Sequence, residues 1–149
     1  MTGSTRRTLY EIGRRSLEPL LPPIYSQVRK RLMAEVQGRN GVTSILDVGG
    51  RKSPYTIGVP ARVTIIDLPR SSEIQEKLGL GISSEIEDHV KGRRSNVERL
   101  MLGDMTRSGL GDASFDVVVS VEVIEHVEQD DLFVQEISRV LKQIGRAHV

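Results

Sequence analysis

The sequence predicts a Rossmann-like α/β domain, that is, a doubly wound parallel sheet with helices on both faces. Two observations lead to this fold class. Four short β-rich runs are almost continuously apolar, as in strands buried on both faces, and helical patterns fill the intervals between them. The 149 residues are enough for one domain with a substantial core. The four predicted strands are residues 43–48, 62–67, 97–102 and 115–121.

Residues 1–41 are predicted to form an N-terminal helical segment. Apolar residues recur at every fourth position from Ile24 to Val36, and Gly38 supplies a stop signal. The basic residues 29–31 fall inside this helix, where a run of charge is most simply a solvated face. The part of the segment before residue 22 shows only a weak apolar pattern.

Further helices are predicted between the strands. Ser53 followed by proline can open a helix of one or two turns after the first strand. Capping-box spacings begin at Ser72 and Ser84. Asp130 or Asp131 can cap a last helix, which carries apolar residues on one side.

Composition narrows the function classes. The formal net charge is +1, which does not favour a protein that binds nucleic acid or anionic membrane through bulk charge. There is no cysteine, so disulfides, zinc-thiolate sites and cysteine nucleophiles are excluded. No apolar run is long enough for a membrane span, and no secretory signal is visible. We therefore expect a cytoplasmic protein with no nucleic-acid partner.

Three acidic residues follow the first three predicted strands: Asp47, Asp67 and Asp104. In a parallel sheet these strand ends lie at one edge, which is where ligands bind. A dinucleotide would need a G-x-G-x-x-G loop, whereas only Gly49 and Gly50 follow the first strand, and Asp47 would repel a pyrophosphate. A nucleoside-like cation without phosphate, such as S-adenosylmethionine, suits the three acids better.

Residues 43–142 resemble the class I S-adenosylmethionine-dependent methyltransferases. The similarity is greatest to the type 11-like branch, which contains many quinone, sterol, glycan and natural-product methyltransferases. The resemblance depends on Ile45–Gly50, Thr64–Asp67, Gly103–Met105 and Ala113–Val127, with Phe133–Lys142 continuing the last motif.

The resemblance implies a methyltransferase that uses S-adenosyl-L-methionine to methylate a small-molecule, lipid or glycan acceptor. It implies that the methionine moiety lies near the glycine turn and the end of the fourth strand, the ribose near the second strand and the adenine near the third. The implied cofactor-binding residues are Asp47, Gly49, Gly50, Asp67, Asp104, Met105, Ser120 and Val121.

Glu122, Glu125 and His126 follow the fourth predicted strand, where a methyl acceptor could lie. One hypothesis is that His126 orients or deprotonates an acceptor hydroxyl. The other is that Glu125 and His126 brace the next segment. Arg51 and Lys52 replace the family's glycine-rich loop, and a carboxylate or phosphate of the acceptor is one hypothesis for their role.

Two other functions stay open from the sequence. One is a non-catalytic domain that has kept the S-adenosylmethionine fold. The other is a nicotinamide-dependent Rossmann oxidoreductase, which the missing glycines and Asp47 make less favourable.

The last seven residues have a different interpretation from the rest of the chain. Residues 143–149 resemble a translated sequencing-adapter stem and are predicted to be a non-native read-through tail, so that residues 42–142 form the N-terminal part of the methyltransferase domain. This interpretation predicts a C-terminally truncated fragment with an incomplete sheet of strand order 3-2-1-4. Its fourth strand would be an exposed edge, and we expect such a fragment to be marginally stable and prone to aggregation.

Overall fold

The computed structural model describes residues 8–69 and 84–148 and contains a five-stranded sheet. The strand order is β3-β2-β1-β4-β5, and all neighbouring strands are parallel. This confirms the α/β fold class. The strands are β1 Ser44–Val48, β2 Arg62–Asp67, β3 Val97–Leu102, β4 Phe115–Ser120 and β5 Leu141–His148.

Within residues 8–69 and 84–148, four α-helices accompany the sheet, and short 3-10 turns lie between the regular elements. The helices are α1 Leu9–Ser16, α2 Pro23–Gln37, α3 Ser84–Arg93 and α4 Asp130–Val140. The 3-10 turns are Glu18–Leu20, Gly50–Lys52, Met105–Arg107 and Ile124–His126. The bounds of β1 to β4 agree with the predicted runs to within a residue. The more apolar runs are the buried strands β1, β2 and β4, whereas β3, which has the weakest run, is an edge strand and is largely exposed.

Four helix predictions have different outcomes. The helix from Ser84 is present, whereas the one from Ser72 falls outside the described residues. Residues 53–61 form turns, so the short helix predicted from Ser53 is wrong. A 3-10 turn at Gly50–Lys52 precedes them. The N-cap of α4 is Gln129, and Asp130 and Asp131 instead lie in the first turn, where carboxylates favour the helix dipole.

The order 3-2-1-4 of the four predicted strands is confirmed, whereas the expectation that β4 is an exposed edge is wrong. β5 begins directly after α4 and pairs with β4 in parallel, from Phe115 opposite Leu141 to Val119 opposite His148. An unpaired strand edge offers backbone donors and acceptors that any extended segment can satisfy, whatever its side chains. The residues set aside as a tail therefore add a fifth strand to the sheet. Their non-native origin stays a prediction.

Two apolar clusters cover the two faces of the sheet. On β1, Ile45 belongs to one cluster, and Leu46 and Val48 belong to the other, as the alternation of side chains in a strand requires. Helix α2 packs on the first face through Leu32 and Val36. No helix in the described ranges is long and apolar enough to cross a membrane.

Arg29 fastens α2 to the segment that follows β1. Its guanidinium donates to the carbonyl oxygens of Tyr55 and Ile57 at 3.1 and 2.7 Å and to the Glu18 carboxylate at 2.7 Å. The expectation that residues 29–31 form only a solvated face is thus wrong for Arg29, because its side chain is 13% exposed. Earlier in the chain, the buried Glu11 carboxylate accepts from Ser95, which ties α1 to the turn before β3.

Candidate functional site

A cleft of about 390 Å³ lies at the carboxyl ends of β1, β2, β3 and β4. This edge is where the sequence placed its candidate residues. Six of the ten predicted site residues line the cleft, namely Gly49, Asp67, Asp104, Met105, Val121 and His126. The other four, Asp47, Gly50, Ser120 and Glu125, do not line it.

The turn after β1 requires glycine at two successive positions. Gly49 has φ +70°, and a Cβ there would lie 2.7 Å from Cγ2 of Val123 in the opposite wall of the cleft. A Cβ on Gly50 would lie 2.3 Å from Cγ of Asp47. The two glycines therefore have different tasks, because Gly49 shapes the cleft and Gly50 makes room for a buried carboxylate.

Asp47 is fully buried beneath this turn. Its carboxylate accepts from the hydroxyls of Thr56 at 2.7 Å, Ser53 at 3.1 Å and Tyr55 at 3.4 Å. Burial raises the pKa of Asp47 to about 6, although the Arg94 charge and the hydroxyl donors act in the opposite direction. In this structure Asp47 holds the loop from below and does not present its carboxylate to the cleft.

Arg94 is the buried cation of this network. One guanidinium nitrogen, Nη2, donates to the Thr56 hydroxyl at 2.6 Å, and Nη1 donates to the Gly50 carbonyl oxygen at 3.5 Å. Thr56 thus connects Arg94 to Asp47. Sequence reasoning missed Arg94 and Thr56, because nothing in a local pattern marks an arginine after α3 as the partner of an acid in β1.

Asp67 lies at the end of β2 in the wall of the cleft. One carboxylate oxygen accepts from the Leu68 backbone N–H at 2.9 Å, and the other lies 3.8 Å from Nε of Arg51. Both side chains are largely buried, at 10% and 5% exposure. The arginine that replaces the expected glycine-rich loop is therefore held beside the acid predicted to bind ribose.

Asp104 and Met105 follow β3 and form the next part of the wall. Oδ1 of Asp104 accepts from the backbone N–H and the hydroxyl of Thr106, at 2.9 and 2.8 Å, and so caps the short 3-10 turn. Met105 is buried in the apolar cluster on that side of the sheet. Asp104 thus caps the 3-10 turn and also lines the cleft.

Beyond β4 the chain turns sharply into the cleft. Val121 lines it, whereas Ser120 is buried, and its hydroxyl has no hydrogen-bond partner within the described ranges. Glu122 has φ +57°, a conformation that is strained for a residue with a side chain. The Tyr25 hydroxyl donates to the Glu122 carboxylate at 2.5 Å, and this bond raises the pKa of Tyr25.

The two candidate acceptor residues separate in the structure. His126 lines the cleft at the end of the Ile124–His126 turn, whereas Glu125 is exposed and lies outside it. Tyr25, which the sequence did not single out, also lines the cleft. The polar side chains at this end of the cleft therefore include Tyr25, Glu122 and His126.

Three comparisons with known proteins agree with this geometry. A family described as "Methyltransferase domain" matches residues 53–149. Two curated relatives, both named "Probable S-adenosylmethionine-dependent methyltransferase", come from the CDC 1551 and H37Rv strains of Mycobacterium tuberculosis. Each is 44% identical over 57 residues, which cover 38% of this chain and 20% of the relative.

Solved structures share the fold at low sequence identity. The PH0226 protein from Pyrococcus horikoshii has a TM-score of 0.58 and 22% identity, over 97% of this chain and 58% of that one. The 1,6-didemethyltoxoflavin-N1-methyltransferase of Burkholderia thailandensis, solved with S-adenosylhomocysteine, has a TM-score of 0.56 and 20% identity, over 80% of this chain and 50% of that one. The chain thus spans about a fifth of the curated relatives and roughly half of these structures.

Proposed function

This chain belongs to the methyltransferase domain family, and from that premise we propose that it transfers a methyl group from S-adenosylmethionine to a small-molecule, lipid or glycan acceptor. The observation that carries the proposal is the order of groups along one cleft: the Gly49 turn, the Asp67 carboxylate, and Asp104 with Met105. In this order, the groups would face the methionine end, the ribose and the adenine of a nucleoside-like cation.

The residues present fit this cofactor. Gly49 has no side chain and lines the cleft, so a ligand there can contact its backbone directly. Asp67 would accept hydrogen bonds from the two ribose hydroxyls, and Asp104 and Met105 would flank the adenine. Val121 would lie against the methionine end, while Asp47 and Gly50 would hold the loop in place from below. Ser120, buried just before Val121, would support the same end.

The acceptor end of the cleft is proposed to be formed by Tyr25, Glu122 and His126. When bound, the cofactor supplies an already activated methyl group, so the chain's main task is to align the acceptor and exclude water. His126 is placed to orient an acceptor hydroxyl or to take its proton. Glu125, which is exposed outside the cleft, fits a supporting role for the Ile124–His126 turn.

The ion pair between Arg51 and Asp67 supports a second candidate function, that of a non-catalytic domain. A loop cation beside the ribose acid suits a domain that has kept the fold without catalysis. A nicotinamide oxidoreductase is less well supported, because the glycine-rich phosphate loop is missing and the matching family is one of methyltransferases. A cytoplasmic location and the lack of a nucleic-acid acceptor stay predictions.

The cofactor part of the proposal is tested by calorimetric titration with S-adenosylhomocysteine, with NAD as the control ligand. We expect saturable binding of the first only. Asp67→Ala should weaken it by about tenfold to a hundredfold, as expected for lost bonds to a charged acceptor. Asp131→Ala removes an exposed carboxylate from α4 and is the matched control. A folded chain that binds NAD and not S-adenosylhomocysteine would overturn the proposal.

The acceptor part is tested by methyl transfer from labelled S-adenosylmethionine to separated small-molecule, lipid and glycan fractions. With the labelled fraction as substrate, His126→Ala should lower turnover, and Glu125→Ala should leave it close to that of the unmodified chain. Equal turnover in both variants would end the catalytic role of His126. Cofactor binding with no labelled fraction would favour the non-catalytic alternative.

A further inference from the structure

We propose that a second cavity, separate from the cofactor cleft, binds an anionic group such as a phosphate or a carboxylate. This basic cavity has a volume of about 290 Å³ and lies between α1, the loop after β1 and the C-terminal half of α3. It shares residues 51–53 with the cleft. The proposal does not depend on the methyltransferase activity. Its lining residues include Arg14, Arg51, Lys52, Arg93 and Arg94.

The charge of this lining is one-sided. Five of its residues are arginine or lysine, and no acidic residue lines the cavity among residues 8–69 and 88–143, whose side chains the structure describes. Cations confined around one small space repel each other, and an anion placed between them removes that repulsion. The composition of the cavity thus selects a negatively charged ligand.

Nearby carboxylates compensate only part of this charge. Arg51 lies 3.8 Å from Asp67, and the charge of Asp47 acts on Arg94. Arg14, Lys52 and Arg93 form no ion pair within the described part of the chain. Three positive charges therefore remain for a ligand. A phosphate dianion could balance two of them, and the third could make one further contact with it.

Two of the uncompensated arginines are held on a single aromatic ring. The guanidinium carbons of Arg14 and Arg93 lie 6.0 and 5.4 Å from the centre of the Tyr10 ring. Nε of Arg14 also donates to the Tyr10 hydroxyl at 3.4 Å. Contact with the ring restricts two flexible side chains before any ligand arrives. Planar guanidinium groups held in this way suit the paired oxygens of a phosphate or a carboxylate.

Arg94 provides a buried donor to the same cavity. The residue is 4% exposed, and although its two terminal nitrogens have acceptors, Nε has no partner among the described residues. A buried donor without an acceptor is destabilising. An anion in a cavity that this side chain lines is the kind of group that would supply the missing acceptor.

Arg51 connects the basic cavity to the cofactor cleft, because it lines both. An anion in the basic cavity would attract its guanidinium away from Asp67, the acid proposed to bind ribose. Anion binding and cofactor binding should therefore be coupled, and by thermodynamic linkage each should change the affinity of the other by the same factor.

The test is titration of the 149-residue chain with inorganic phosphate at constant ionic strength, alone and with S-adenosylhomocysteine at saturation. We expect saturable binding that persists when S-adenosylhomocysteine is present. Replacing the exposed pair, Arg14→Gln with Arg93→Gln, should weaken it by about tenfold or more, as expected when two charge-assisted bonds are lost. Lys30→Gln with Arg31→Gln removes the same charge from the exposed side of α2 and should leave it unchanged.

Three results would overturn the proposal: no saturation, an equal loss in the control pair, or displacement of phosphate by S-adenosylhomocysteine, which would place the anion in the cleft. Circular dichroism checks that the variants fold, and Lys52→Gln gives a second, milder variant with an exposed side chain. Phenyl phosphate then separates two sources of the anion. Tighter binding than inorganic phosphate indicates an anion carried by a larger ligand, and equal binding indicates a free anion.

Discussion

The carboxyl ends of β1 and β4 are neighbours in the sheet and are built in opposite ways. After β1, the Asp47 carboxylate is fully buried and accepts from three hydroxyls. After β4, the Glu122 carboxylate belongs to an exposed residue with positive φ and accepts from Tyr25. Because the first end is buried and hydrogen-bonded, whereas the second is an exposed turn with positive φ, we expect the first end to be the more rigid. The difference suits a fixed cofactor at the first end and a variable acceptor at the second.

The largest effect is expected from removing the buried cation at the β1 end. Arg94→Met would leave Asp47 buried without its compensating charge, and Thr56 without its donor. We expect the free energy of unfolding to fall by about 3–5 kcal/mol. Urea denaturation measures this, with Arg31→Met on the exposed face of α2 as control. A loss below about 1 kcal/mol would mean that the β1 end is no more rigid than the β4 end.

A methyl group added at Gly50 should come next. The Cβ of Gly50→Ala would meet Cγ of Asp47 at 2.3 Å, so the fully buried carboxylate or the turn would have to shift. We expect a loss of about 1–3 kcal/mol, typical of overpacking. Gly92→Ala is the control, since a Cβ there would meet no described atom within 4 Å and alanine favours a helix. Thermal unfolding of the two variants should therefore shift in opposite directions.

The burial of Asp47 also predicts a pH dependence. Its pKa rises to about 6 from an ordinary value of 3.8, so between these values the folded chain binds a proton that the unfolded chain has lost. The free energy of unfolding should thus fall as pH rises through this window, by about 3 kcal/mol at 1.36 kcal/mol per pKa unit. Asp47→Asn should lack this fall.

The measurement is the difference in unfolding free energy between the unmodified chain and Asp47→Asn from pH 3 to 7. Asp116 and Glu136, whose pKa values are lowered to about 2, stabilise the fold as pH rises through a lower window. Because both proteins contain them, their contribution cancels in the difference. A difference that does not change with pH would show that Asp47 is less desolvated than its burial indicates.

The smallest effects compare one hydroxyl at each end. Thr56→Val removes a hydroxyl that serves both Asp47 and Arg94, and should cost about 1–3 kcal/mol, as expected for buried partners left unsatisfied. Tyr25→Phe removes the bond to Glu122, whose carboxylate can turn to water, and should cost less than about 1 kcal/mol. Equal losses in urea denaturation would contradict the contrast between the two ends.

Local sequence patterns predicted the parts of this structure that depend on local chemistry. The apolar runs predicted β1 to β4, and the acids that follow them led to the edge where Asp67 and Asp104 line the cleft. The α1 helix falls inside the segment predicted to be helical, but its start was not identified, although Thr8 and Glu11 form a capping box there. This spacing is a local sequence signal for the first residue of a helix.

Contacts between distant parts of the chain could not be predicted in this way. Arg94 reaches Thr56, and Tyr25 reaches Glu122, only because the sheet brings their elements together. Residues 143–149 were set aside because they resemble a translated adapter sequence, but a strand edge selects a partner by its backbone. These errors share one cause, because each depends on tertiary pairing that no local periodicity encodes.

The anchoring of Arg29 has a consequence for how the chain would respond to a protease. Gly41 and Val42 are exposed and connect the helical segment to β1, which makes this link an accessible cleavage point. Yet Arg29 donates hydrogen bonds to two carbonyl oxygens beyond the link, those of Tyr55 and Ile57, and α2 packs in the core through Leu32 and Val36. A chain nicked between Gly41 and Val42 should therefore elute from a sizing column as a single particle, and its two pieces should separate only in denaturant.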